Sequence, residues 1–157
     1  MAAATLPRAV NDNRTVLATV DIAAPPQRIF TALTTREVET WWGSPETYRV
    51  RNWNADLRVG GRWTLDVVRP DGGVFPASGQ FLEIDAPRTL VQTRKYEWDF
   101  PELGRRETRV TFQLEAIPAG TRLTVRHDGF AGLWAAAREH AAGWERFLGW
   151  LAAYLEL

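Results

Sequence analysis

The chain has 157 residues, no cysteine, and 19 basic residues against 19 acidic ones. That length fits one domain with a core large enough to need no disulfide or metal staple, and without thiols there are no disulfides, thiolate nucleophiles or cysteine zinc sites. The charge balance argues against a nucleic-acid backbone binder and a polybasic membrane anchor, and the apolar runs fall far short of the roughly 20 residues a spanning helix needs.

Residues 1–12 are Ala-rich but interrupted by Pro7 and Arg8. They read as a mobile tail rather than a signal peptide, ahead of a single domain over 13–157. Between Arg14 and Ile22, the residues Val16, Ala18, Val20 and Ile22 alternate with polar or small ones, the period of a strand. Pro25 and Pro26 stop it and open a short helix over Gln27–Leu33. Thr34 and Thr35 break that helix and offer an N-cap to a second, Arg36–Trp42, which Gly43, Ser44 and Pro45 end.

From Tyr48 to His127 the pattern is β. Trp63, Leu65 and Val67 share one face of a strand, as do Val110, Phe112 and Leu114 of another and Leu123, Val125 and His127 of a third. Val74–Ile84 reads as a strand region interrupted by Pro76 and Gly79. Thr89–Trp98 places Leu90, Gln92, Arg94, Tyr96 and Trp98 inward, because that set holds the large aromatics. Turn residues at 71–73, 85–87, 102–104 and 118–120 separate the strands, so neighbours run antiparallel. From Leu133 the period becomes helical: Leu133, Ala137, Ala141, Trp144, Leu148, Leu151 and Leu155 form one stripe. A helix over Leu133–Tyr154 would be roughly 33 Å long, long enough to lie across the apolar face of the sheet. The class is α+β: a curved antiparallel sheet of about six to seven strands wrapped around a long C-terminal helix, with two short helices after the first strand.

The stretches AAPPQRIFTALTTREVETWW, DLRVGGRWTLDV, LEIDAPRTLVQT and GTRLTVRHDGF, with Gly143-Trp144 late in the chain, carry a resemblance. In order and spacing they resemble the START-related superfamily with the helix-grip fold. Within it they resemble the bacterial relatives of the heat-shock-protein-90 ATPase activator C-terminal domain, over about residues 14–156. The resemblance implies an internal cavity between sheet and helix.

Eight tryptophans in so small a domain mean either a large aromatic core or aromatic walls around a ligand. Strand faces put Trp63, Tyr96 and Phe112 on such walls. The helix adds Trp134 and Trp144, and Trp42 stands beside a Gly-Ser-Pro loop that would form the mouth. Arg94 and His127 would orient a polar end of the ligand if they face inward. A buried Arg94 needs an anionic partner: Asp66, Glu83 or a ligand carboxylate. Alternatively a register shift puts Arg94 in water, and His127 bonds the loop leading into the long helix.

Gly60-Gly61 reads as a bend in the sheet, since no helix start follows to cradle a phosphate. Gly143 suggests close approach of the long helix to the sheet with Trp144 filling space beside it, as core packing or, alternatively, as cavity wall. The two histidines, His127 and His140, show no metal-ligand spacing, so no metal or other cofactor is expected. Ser44 and Ser78 are the only serines, and neither sits in a nucleophile motif.

Three functions compete. The favoured one is binding of a small hydrophobic or aromatic molecule in a cytoplasmic protein, with no nucleic-acid partner, no membrane span and a homodimer left open. A polyketide cyclase or dehydratase-like enzyme would need an internal acid–base pair, for which His127 with Asp66 or Arg94 is the best available. A chaperone ATPase co-factor is expected least, because the activator relatives hold the chaperone with a separate N-terminal domain.

Overall fold

In a computed structural model that describes residues 6–12 and 14–156, one antiparallel sheet faces one long helix. Strand β1 (Arg8–Asn11) pairs with β2 (Thr15–Ile22). Helices α1 (Pro26–Thr34) and α2 (Val38–Trp41) follow, then β3 (Gly43–Ser44), β4 (Tyr48–Ala55), β5 (Arg62–Val68) and β6 (Val74–Asp85). The chain continues through β7 (Thr89–Tyr96), β8 (Thr108–Ile117) and β9 (Gly120–Asp128) to α3 (Trp134–Leu155). The spatial order is β1-β2-β9-β8-β7-β6-β5-β4-β3. Hairpins therefore build the sheet from β3 to β9, and β2 closes on β9 from the other side. No helix among the described residues is long and apolar enough to cross a membrane.

The nine strands exceed the six to seven expected from the sequence. Two are short edge strands, β3 and β1, with too few residues to display a period. The second falls inside the expected tail. Met1–Thr5 lie outside the described residues, but Arg8–Asn11 pairs with β2, and Glu145 of α3 accepts a hydrogen bond from the Ala9 amide at 3.0 Å. Those partners are remote in sequence, so the tail reading is corrected for this segment. β6 also runs unbroken through Pro76 and Gly79. A side chain at Gly79 would collide with the Thr93 carbonyl and the Trp63 indole, so glycine lets β5 and β7 close around it. Gly60, at φ +86, turns the chain between β4 and β5, and the Gly60 amide and Gly61 carbonyl bond to Phe81 of β6. The pair is a bend of the sheet.

The core lies between the sheet and α3. Val16, Val20, Leu123, Val125, Leu148 and Leu151 are buried there with 0–1% exposure, so neighbouring strands and helix fill that half completely. The closest backbone approaches of α3 are to β2 and β1. Towards the opposite half of the sheet, aromatic rings rather than backbone span the gap. Phe147 meets Trp41, Trp42 and Trp144 edge-on with centroids 4.8–4.9 Å apart, the offset geometry that aromatic quadrupoles favour.

Candidate functional site

A cavity of about 450 Å³ remains where α3 stands over β5–β7. Trp63 and Leu65 of β5, Ala77 of β6, and Arg94 and Tyr96 of β7 form its sheet side. His140, Gly143, Trp144 and Phe147 form its helix side, and Trp42 and Tyr48 close one end. The mouth carries two cations and two anions, Arg69, Arg146, Asp99 and Glu139, all exposed. Inside, alternation along β7 aims Arg94 and Tyr96 inward together.

Arg94 is 9% exposed. Its guanidinium carbon lies 5.4 Å from the ring centre of Trp42, 5.8 Å from Trp63 and 5.1 Å from Trp144, within cation–π range of all three. Its Nε has no hydrogen-bond partner, and among the described residues the guanidinium enters no ion pair. Neither protein carboxylate considered from the sequence serves it: Asp66 accepts a hydrogen bond from Asn52 at 2.8 Å, and Glu83 is exposed.

Beside it, Tyr96 and His140 meet at 2.8 Å. The His140 Nδ1 lies 2.8 Å from the Ala136 carbonyl, which can only accept, so Nδ1 carries the ring proton. Nε2 then accepts from the Tyr96 hydroxyl. Burial pushes the His140 pKa down to about 4, opposed by the Ala136 hydrogen bond. Burial also raises the Tyr96 phenol, partly offset by the nearby Arg94 cation. At neutral pH both groups are uncharged, and the Tyr96 proton is committed to His140. The pair suits orientation of a ligand better than proton transfer, because neither member titrates near pH 7.

His127 does not face the cavity. It is fully buried, and its Nδ1 accepts the Trp144 indole N–H at 3.0 Å. Nε2 therefore bears the proton and donates to the Thr108 hydroxyl at 2.7 Å, while Thr108 donates to the Arg94 carbonyl at 3.1 Å. Burial, followed by His140 and Arg94, holds its pKa well below the usual imidazole value. His127 thus positions Trp144, a cavity wall, and ties β8 to the backbone of β7. With Asp66 bonded elsewhere, neither acid–base pairing drawn from the sequence has His127 in the cavity; the polar pair inside is Tyr96 and His140. That contact was not legible in the sequence, because His140 sits on the edge of the apolar stripe and its partner lies 44 residues away.

Three other expectations are corrected. Trp134 is 58% exposed on the first turn of α3, on the side it shares with exposed Arg138 four residues later, and so stands outside the cavity. Phe112 packs behind the cavity against Trp144 and Phe147, and borders a separate void of about 10 Å³. Gly143 does not seat the helix on the sheet: a side chain there would meet only Arg146, at 3.8 Å, so the missing methyl widens the cavity.

A curved antiparallel sheet gripping a long C-terminal helix, with a hollow between them, defines a helix-grip protein. A family model for "Activator of Hsp90 ATPase homolog 1-like protein" matches residues 23–156, and the chain belongs to that family. Among solved structures it is similar to a protein from Rhodobacter sphaeroides, with a TM-score of 0.81 at 20% identity over 97% of this chain and 99% of that one. It is similar to a Chromobacterium violaceum protein at TM-score 0.79 and 21% identity, over 92% and 99% of the two chains. An AHSA1 protein from Silicibacter pomeroyi gives 0.73 at 26% identity, over 90% and 97%. No curated protein matches the sequence.

Proposed function

We propose that this chain binds a small hydrophobic or aromatic molecule in the cavity between β5–β7 and α3. The observation that carries the reading is the volume of about 450 Å³ walled by Trp42, Trp63, Tyr96 and Trp144, with only a few polar groups converging on it. Small-molecule sites have this size and this ratio of apolar wall to polar anchor. The test is a panel of flat aromatic and short fatty ligands read by tryptophan emission and melting temperature. Binding that is weakened by Gly143→Leu supports the reading, because the new side chain occupies the hollow. No response to any ligand overturns it.

The Tyr96–His140 contact keeps a second reading in view, a cyclase or dehydratase-like enzyme, but a phenol raised by burial and an imidazole lowered to about 4 make a weak acid and a weak base. The family description raises a third, activation of a chaperone ATPase. A several-fold stimulation of a bacterial heat-shock-protein-90 homologue at micromolar protein would favour it; we expect little or none.

A further inference from the structure

We infer that the ligand of this cavity is a monoanion, a single carboxylate on an apolar body, and that Arg94 is the residue that binds its charge. The inference rests on the cavity reading and adds the chemical class. The argument begins with cost. A guanidinium taken out of water without an anion is strongly unfavourable, and proteins avoid it unless the charge is paired. Arg94 is nine-tenths buried, its Nε has no acceptor, and no carboxylate of the described residues pairs with it. The faces of three indoles and the neutral Tyr96 phenol oxygen compensate in part, yet none of them carries the negative charge that would neutralise the guanidinium.

The surroundings narrow the partner. At the mouth, Arg69 and Arg146 balance Asp99 and Glu139. Asp99 is already bound to Arg105 at 3.1 Å, and Glu139 is exposed. The unbalanced charge is therefore the one inside. The void of about 10 Å³ beside Arg94 is at the lower limit of what one water needs, and a water would satisfy Nε while leaving the charge unneutralised. Tyr96 cannot add a donor, since its proton goes to His140, while the Tyr48 hydroxyl, which accepts the Trp42 indole N–H at 3.2 Å, keeps one neutral O–H to offer. One cation with one fork of N–H groups and one neutral hydroxyl, in an otherwise aromatic chamber, matches a carboxylate; a phosphate would call for a second charge. The aromatic walls then take the apolar body.

The test compares 1-naphthylacetate with 1-naphthylacetamide by isothermal titration calorimetry, and decanoate with decanamide as a second pair. In the wild type each acid should bind more tightly than its amide by roughly ten-fold or more, as a charge-assisted hydrogen bond allows. Arg94→Met should bind both members of a pair about equally, and its ligand-free melting temperature should match or exceed that of the wild type, because an unpaired buried cation has been removed. Arg94→Gln, which keeps a donor but no charge, should also lose the preference. Equal affinity for acid and amide in the wild type overturns the assignment to Arg94 and leaves the cavity reading standing. A preference that survives in both variants does the same. If neither pair binds the wild type at millimolar concentration, the cavity reading fails and this inference falls with it. If Arg94→Met is unfolded or melts far below the wild type, the arginine has a structural role, and the inference is overturned provided Arg94→Gln keeps the acid preference.

Discussion

The two halves of the space under α3 are built from the same alternating strands, yet one is solid and the other hollow. Over β2 and β9, the aliphatic side chains Val16, Val20, Leu123, Leu148 and Leu151 meet with no exposure above 1%. Over β5–β7, the facing residues are Trp63, Leu65, Arg94 and Tyr96 from the sheet and His140, Gly143 and Trp144 from the helix. Branched aliphatics interdigitate to the density of an organic crystal. Large planar rings held at fixed angles, with a glycine among them and a charged group that resists close packing, leave space. The hollow follows from residue choice and helix placement together, and each can be varied.

The largest effect should come from Trp144, which stands on the border. Trp144→Ala should lower stability by about 3–5 kcal/mol in urea titration, the usual range for a buried aromatic, since it also leaves the His127 ring nitrogen without its donor. A loss below about 1 kcal/mol would show that α3 is not seated as described. Next, Leu148→Ala in the solid half should cost about 2–5 kcal/mol. Leu65→Ala should cost at least about 1 kcal/mol less, because that side chain already borders empty space and loses fewer contacts. Equal losses would mean that the hollow closes in solution.

Acid should weaken both halves through the two histidines at their junction. Each has a folded-state pKa below its unfolded value near 6.5: burial lowers His140 to about 4 and holds His127 well below the usual imidazole value. Between pH 6.5 and about 4 the unfolded chain binds protons that the folded chain does not. Their contribution is therefore complete above pH 6.5 and is lost as pH falls, for His140 by up to about 1.4 kcal/mol per pH unit down to its folded value. Urea midpoints from pH 7.5 to 4.5 check this, and His140→Gln should flatten part of the slope. Glu37, held below the usual carboxylate range by Arg28, acts only lower down. The smallest change is Gly143→Ala. It should raise stability by about 0.5–1 kcal/mol, the helix-propensity difference, because the nearest atom to the new methyl is 3.8 Å away. A loss of stability would place Gly143 against the sheet after all.

Side-chain period determined the type of the longer elements, the antiparallel hairpins and the long helix to within a residue at each end, and it put Arg94 and Tyr96 on one face of β7 while leaving open whether Arg94 turns inward or to water. Period reports which face a residue takes, because successive strand residues alternate and helical ones recur every third or fourth position. It does not report how far away the opposite element stands. Only the tertiary structure decided that α3 comes close to β1 and β2 and stays away from β5–β7. The same nonlocal geometry joined His140 to Tyr96, sealed His127 behind Trp144, turned Trp134 to solvent and ordered Arg8–Asn11 through Glu145. Each of those outcomes depends on contacts between residues far apart in the chain, whose distances no local pattern encodes.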